Sequence, residues 1–290
     1  MSRYLDPKAD VVFKKIFGEH PKILISFLNA LLPLPPNSPI VSLAYLQYEQ
    51  VPVIPEFKRT IADVKCTDAQ GRVFIVEMQM NWVDHFKQRL LFGTSQALVK
   101  QLEQGEDYKF LQPVYGLGLV ATIDDPTTPN WDHHYQLIRK DDEGCCDLIE
   151  HLQLIFIELP KFPAQSSDEK KLRLLWLRFL REINEKTRMV SDDLLAIPEI
   201  AQALQLAEES AYTPGELNLY ESYWDQVSRD KTLLSGKYDE GKAKGRAEGK
   251  IETMVEVATH MLMEHEPLDK ISKFTGLSQE MILKLKRPLK

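Results

Sequence analysis

The sequence predicts an α/β fold, a mixed β-sheet flanked by helices with a helical C-terminal region, and three observations carry it. "VKCTDAQGRVFIV" pairs two strand-like runs around a glycine turn. A helical stretch follows, and then a continuous apolar run, "VYGLGLV", of the kind found in strands buried on both faces. Strand, strand, helix, strand implies that the last of these joins the sheet by a crossover connection. After Pro160 the apolar spacing changes to a helical period and stays there.

The elements follow in order. Asp6 is predicted to cap a helix with Pro7 at its first position; Val12, Phe13, Ile16 and Phe17 recur at helical spacing, and Gly18 ends it. "KILISFLNALL" is a second helix that stops at Pro33, and "LPLPPNSP" is a turn-rich connector. "IVSLAYLQYEQ" has strand character, whereas the two prolines of "VPVIPEF" fit a loop or a sheet edge. The hairpin comes next, then a long helix over "WVDHFKQRLLFGTSQALVKQLEQGEDY" that ends near Gly105. "VYGLGLVATI", "HYQLI" and "LQLIFIEL" are three further strands, with "DDPTTPN" a loop between the first two. "SSDEKKLRLLWLRFLREINE" is an amphipathic helix with Ser166 and Glu169 at capping-box spacing, and residues 190–233 also read as helical. "GKYDEGKAKGRAEGK" is a polar helix or linker, and the last forty or so residues form two or three short helices. The predicted divisions are therefore 1–162 for the α/β core, 163–234 for a helical extension, 235–250 for the Gly/Lys/Glu-rich segment and 251–290 for a small helical module.

Composition narrows the function. The 290 residues are 43% hydrophobic and 27% charged, as in ordinary globular proteins. No basic, apolar leader and no apolar run near twenty residues is present, so neither secretion nor membrane insertion is expected. The cysteines, Cys66, Cys145 and Cys146, lack metal-site spacing and suit a reducing cytoplasm. A net charge of −7 counts against a dedicated nucleic-acid binder without excluding an enzyme with a local basic groove.

The hairpin holds the chemistry. Asp68 to Arg72 fits a three-residue loop with Gly71 in the left-handed conformation. In that register Asp68 faces Arg72, and counting back along both strands Asp63 faces Glu77, with Gln79 on the same side. A two-residue loop would send the carboxylates to opposite faces. Two facing carboxylates repel, and burial worsens the repulsion. Mg²⁺ would compensate through oxygen ligands, keep waters for a phosphate to replace, and activate a water against a phosphodiester. Gln79 would orient that water or hydrogen-bond the substrate. A solvated sheet face, or neutralisation by Lys65 or Arg59, is the competing reading of the same spacing.

Other polar residues carry less. His133 and His134 are strand neighbours on opposite faces and do not suit one ion, and the spacing of His260 and His265 is poor for one helix face. Trp82 and His85 follow the hairpin, where they either line the site or, for Trp82, pack the start of a helix. The glycines at 236, 241, 245 and 249 follow no strand and form no phosphate loop. "DKISKFTGLSQEMI" has the length of a helix-turn-helix, readable as DNA docking or as self-association; the glycine-rich repeat and Met-rich helices favour a homo-oligomer formed through the C-terminal helices.

An ordered series of segments resembles the PD-(D/E)XK nuclease family transposases, the recombination-promoting nuclease (Rpn) group. It runs through "DPKADVVFKKIFG", "SFLNALL", "FKRTIADVKCTDAQGRVFIVEMQM", "FKQRLLF", "QGEDY" and "FIELPK" to the Gly/Lys/Glu repeat and "ISKFTGLS". The resemblance implies a restriction-endonuclease-like core and Mg²⁺- or Mn²⁺-dependent cleavage of DNA, with RNA open to the same chemistry. It implies Asp63 as the central metal-binding aspartate and Glu77 as the second acid, with the Met78 carbonyl as a further ligand. Gln79 stands where the wider superfamily has lysine, and Asp10 matches an N-terminal aspartate able to assist, against a plain helix-surface acid. Ala62 replaces the usual proline, and the glutamine lacks a charge that would stabilise the phosphorane, though the Rpn group typically has glutamine there. Lys65 and Arg89 are the candidates for that charge, against a plain surface role for each. The alternative expectation is a nuclease-fold protein that binds or assembles without turnover.

Overall fold

The computed structural model describes residues 3–46, 64–80, 85–103, 105–123, 126–139, 147–162 and 172–286. Asp63, Ala62, Arg59, Trp82, Cys145, Cys146 and the Ser166/Glu169 pair lie outside the described residues.

Asp6 caps a turn ahead of the first helix rather than the helix itself. Its Oδ1 accepts from the Lys8 amide at 2.9 Å and its carbonyl from the Ala9 amide at 3.0 Å. Helix α1 then runs over Asp10–Phe13, later than the Pro7 start expected, and passes into a π-helical turn, Lys14–Gly18. Helix α2, Pro21–Leu31, begins with proline at its first position. Val12, Phe13, Ile16, Phe17, Phe27 and Leu28 from these elements are fully buried.

Six strands form one mixed sheet: β1 Leu43–Tyr45, β2 Val64–Asp68, β3 Val73–Gln79, β4 Val114–Val120, β5 Asp132–Ile138 and β6 Leu148–Glu158, in the order β1-β2-β3-β4-β6-β5. β1, β2 and β3 are antiparallel neighbours; β3, β4 and β6 are parallel; β5 runs antiparallel along β6. The helix between β3 and β4, α3 (Phe86–Val99), is the predicted crossover. It ends before Gly105 because the next residues turn back to the sheet: the Gln101 side chain bonds both the amide and the carbonyl of Gln112, at 2.7 and 3.0 Å.

Each face of the sheet has its own core. Phe74, Val76, Tyr115, Leu117 and Ile155 pack with α1, α2 and three later helices, α4 (Leu172–Glu182), α5 (Asp192–Leu195) and α6 (Pro198–Ala207). Trp176 is the centre of that cluster, edge-on to Phe27 and Phe179, with its indole N–H on Ser26 Oγ at 3.2 Å. Residues 3–5 are tied to the end of α6, Leu5 N–H donating to the Ala207 carbonyl at 2.8 Å. The predicted extension beyond residue 163 thus shares a core with the sheet, inside a compact unit Met1–Val227.

The other face is covered by α3, through Val73, Ile75, Phe86, Leu90, Ala97, Val120, Leu154 and Phe156. The helix and the β6 side chains Leu154 and Phe156 approach β4 so closely that side chains are excluded there. A Cβ on Gly116 would lie 2.5 Å from Thr94 Cγ2, and one on Gly118 2.9 Å from Phe156 Cδ1 and 3.1 Å from Phe86 Cε1.

The second compact unit, Ser228–Lys290, contains the later part of α7 (Pro214–Met263), α8 (Leu268–Thr275) and α9 (Gln279–Lys286). Residues 235–250, read as linker or helix, are helical. Ala258, Ile271, Leu277 and Ile282 make a small core, and Gly276, at φ 73°, closes α8 in the left-handed conformation that glycine favours. Among the described residues no helix is long and apolar enough to cross a membrane.

Candidate active site at the carboxyl end of the central strands

The hairpin turn fixes the face on which the acids lie. Gly71 has φ 81°, its amide donates to the Asp68 carbonyl at 3.0 Å, and the Asp68 amide donates to the Arg72 carbonyl at 3.1 Å. The Asp68 carboxylate holds the loop from inside, accepting from the amides of Gln70 and Arg72, both at 3.0 Å, and from Arg72 Nε at 2.8 Å. From there the register runs Thr67 opposite Val73, Cys66 opposite Phe74, Lys65 opposite Ile75 and Val64 opposite Val76. The next residue back in the sequence is Asp63, which the described residues do not include.

Alternation does the rest. Phe74 and Val76 point into the core with α1 and α2, and Val73 and Ile75 lie under α3. Glu77 and Gln79 therefore continue the α3 face at the carboxyl end of β3. Glu77 lies opposite Gly118 and Gln79 opposite Val120. Met78, paired with Leu119, packs its side chain against the opposite core.

Arg89, in the first turn of α3, closes the group. Its Nη2 and Nε lie 3.2 and 3.3 Å from Glu77 Oε2, and Nη2 donates to Gln79 Oε1 at 2.7 Å. The helix is entered through His85 at φ 74°, and the guanidinium rests against the Phe86 ring, 5.1 Å from its centroid. The Glu77 side chain is 3% exposed and that of Arg89 43%. Burial pushes the Glu77 carboxyl up from its ordinary range, and the charge and hydrogen bond of Arg89 oppose the rise. Glu77 Oε1 is buried and has no hydrogen-bond partner among the described residues.

Asp10 is placed elsewhere in its contacts. Its carboxylate pairs with Lys14 Nζ at 2.7 Å, one helical turn on, and is 44% exposed. The structure thus brings Glu77, Gln79 and Arg89 into one cluster and pairs Asp10 with Lys14. Lys65 lies opposite Ile75, on the α3 side of β2 by alternation.

A second polar group lies on the same face, two strands away. Glu158, in register with Val120 and thus in the row of Gln79, is almost completely buried. His133 Nε2 lies 2.9 Å from its Oε1, and Lys161 Nζ donates to the same oxygen at 2.9 Å. His134 turns the other way, to Gln153 Oε1 at 3.0 Å. The opposite directions of the two histidines match the strand alternation; the Glu158 partnership was missed, although glutamate and lysine three apart in "FIELPK" signalled it.

The donors present suit a hard cation. A buried carboxylate oxygen lacking a partner and a neighbouring amide oxygen are oxygen ligands of the kind Mg²⁺ and Mn²⁺ take. Among the described residues soft ligands are not at hand: Cys66 is sealed in the opposite core, its thiol pushed up to about 12 chiefly by burial.

A mixed sheet flanked by helices, with an acid and an amide at the end of the strand after a hairpin, defines a PD-(D/E)XK nuclease-like fold. Comparison with protein families gives the narrower assignment: the PD-(D/E)XK nuclease family transposases match residues 7–234, and the chain belongs to that family. Membership connects it with nuclease chemistry and transposition, and nucleases of this kind generally use divalent metals. Neither the curated proteins nor the solved structures gave a match.

Proposed function

We propose that the protein is a Mg²⁺- or Mn²⁺-dependent DNA endonuclease acting in recombination or in the movement of, or defence against, mobile elements. The observation that supports this best is Glu77, a carboxylate buried at a strand end with one oxygen lacking a partner among the described residues and the other facing Arg89. Asp63 and Glu77 would hold the ion, with the Met78 carbonyl as a further ligand and Asp10 assisting. When bound, the ion supplies charge neutralisation at the scissile phosphate and an acidified water. The chain's own groups then do the positioning. Gln79 presents its amide to the attacking water or a phosphate oxygen; before the ion binds, Arg89 holds that amide in orientation. Glu77 is almost completely buried, so that charge interactions there are strong.

Conversion of supercoiled plasmid to nicked or linear form tests this directly. Wild type converts it with Mg²⁺ and not with EDTA, and Asp63→Ala loses the activity by two orders of magnitude or more. Equal nicking by wild type and Asp63→Ala would remove the enzyme reading. Retention of DNA on a binding assay with no cleavage under any divalent ion would leave the fold as a binding or assembly protein.

A further inference from the structure

The Arg89 contacts are unusual for a structural ion pair. A guanidinium that holds a carboxylate frequently forms two parallel bonds, one to each oxygen, near 2.7–2.9 Å. Here Nε and Nη2 both approach Oε2, at 3.3 and 3.2 Å, while Oε1 has no partner among the described residues. The shortest bond of the group goes to the neutral Gln79 oxygen, at 2.7 Å. Nη1 makes no hydrogen bond among the described residues, and the side chain is 43% exposed although its partner is buried. The stem leaves the first turn of α3 over the Phe86 ring, so rotation about its own bonds can carry the guanidinium outward without moving either backbone.

We propose that Arg89 is the movable cation of this site. In the metal-free protein it neutralises Glu77 and orients Gln79. Once a divalent cation takes Glu77, Arg89 moves to a phosphate oxygen of the bound nucleic acid. The proposal rests on the nuclease reading and adds a residue to it. Two like charges on one carboxylate repel, and the guanidinium is the one with solvent on its far side. The two non-bridging oxygens of a phosphodiester accept the planar guanidinium fork bidentately, as a carboxylate does. The positive charge absent from position 79 is then supplied from a helix.

The test uses the full chain and two readouts besides cleavage. Mn²⁺ binding is measured by titration calorimetry without DNA, for wild type, Arg89→Ala, Arg89→Gln and Arg89→Lys. Removing the competing cation tightens Mn²⁺ binding about threefold or more in the alanine and glutamine variants. Binding of a labelled duplex is then measured in Ca²⁺ by anisotropy across a KCl series. Loss of one phosphate contact lowers the log–log salt slope by about 0.9, and Arg89→Lys recovers it. Glutamine can still donate to Glu77, so Arg89→Gln carries the test if the alanine variant does not fold. Unchanged or weaker Mn²⁺ binding in Arg89→Gln, or an unchanged salt slope, overturns the role of Arg89. A wild type that cuts plasmid and binds Mn²⁺ while the variants behave like it sinks this inference alone. A wild type that neither binds Mn²⁺ nor cuts removes the nuclease reading and this inference with it.

Discussion

Gly118→Ala is the substitution that most directly joins the fold to the site. The added Cβ would lie 2.9 and 3.1 Å from Phe156 Cδ1 and Cε1 and 3.1 Å from Phe86 Cε1. All three are ring atoms, and the two rings are already locked edge-on at 5.9 Å. Neither can yield by a simple rotamer change, so relief to an ordinary contact requires the Phe156 ring on β6 to shift and α3, which carries Phe86, to lift from β4 by a few tenths of an ångström. Overpacking of a filled core costs roughly 1–3 kcal/mol. Replacing a strand glycine returns about 0.5–1 kcal/mol of backbone entropy, leaving a net loss near 1–2 kcal/mol. For a unit of this size that is a fall in Tm of about 2–8 °C. Phe86 precedes Arg89 by three residues on the same helix, and Glu77 lies opposite Gly118 on the sheet. The same lift therefore lengthens the bonds from Arg89 to Glu77 and Gln79. Scanning calorimetry of wild type and variant in EDTA measures the first effect and plasmid nicking the second. A variant as stable as wild type would show that the α3–β4 approach is not as tight as described, and the account of how Arg89 is positioned would fall with it.

Two further outcomes follow from charges held out of water. Arg72 and Asp68 form a buried pair, Nη2 to Oδ2 at 2.6 Å, with Arg72 Nη1 also donating to the Ser38 carbonyl at 2.8 Å. Arg72→Ala leaves the aspartate buried and loses about 3–5 kcal/mol in urea unfolding; a loss below about 1 kcal/mol would contradict the pairing. Burial raises the Glu77 carboxyl above the ordinary glutamate value of 4.5, against the pull of Arg89. The raised folded-state value means the protonated group's contribution to stability is complete below 4.5 and is lost as pH rises through the raised value. In EDTA, wild type should therefore lose stability relative to Glu77→Gln on going up through that window, with a slope of at most about 1.4 kcal/mol per pH unit. Parallel pH profiles of Tm for the two proteins would contradict it.

Much of the sheet was legible because its signals are local. The Asp68–Arg72 loop has one short geometry that lets Gly71 use positive φ, and that geometry sets the register through to Val64 and Val76. β4 was legible because an apolar run without alternation fits a strand covered on both faces, and it is covered by α3 on one side and by the larger core on the other. Boundaries set by distant contacts were not. The end of α3 depends on Gln101 finding Gln112, and the start of α1 on Asp6 bonding the Lys8 amide before helix begins. At the site, the shared face of Glu77 and Gln79 came from counting residues. The grip of Arg89 on both needed the height of α3 above the sheet, which no spacing within the helix reports.

That height is itself written in β4. "YGLGLV" places glycines at 116 and 118 on the α3 face and Leu117 and Leu119 on the other, so the strand is bare where the helix crosses and filled where the larger core needs volume. A helix held off by ordinary side chains would stand farther from the sheet, and an arginine on its first turn would reach Glu77 only by stretching away from Gln79. The pair of glycines thus has a consequence at the neighbouring strand. It lets one guanidinium touch a carboxylate and an amide two residues apart on β3, which a lysine placed at position 79 itself could not do while also leaving the strand end free for an amide. Under the proposed function, exchanging lysine for glutamine on the strand and taking the charge from α3 are two halves of one arrangement, and both depend on the absence of two Cβ atoms.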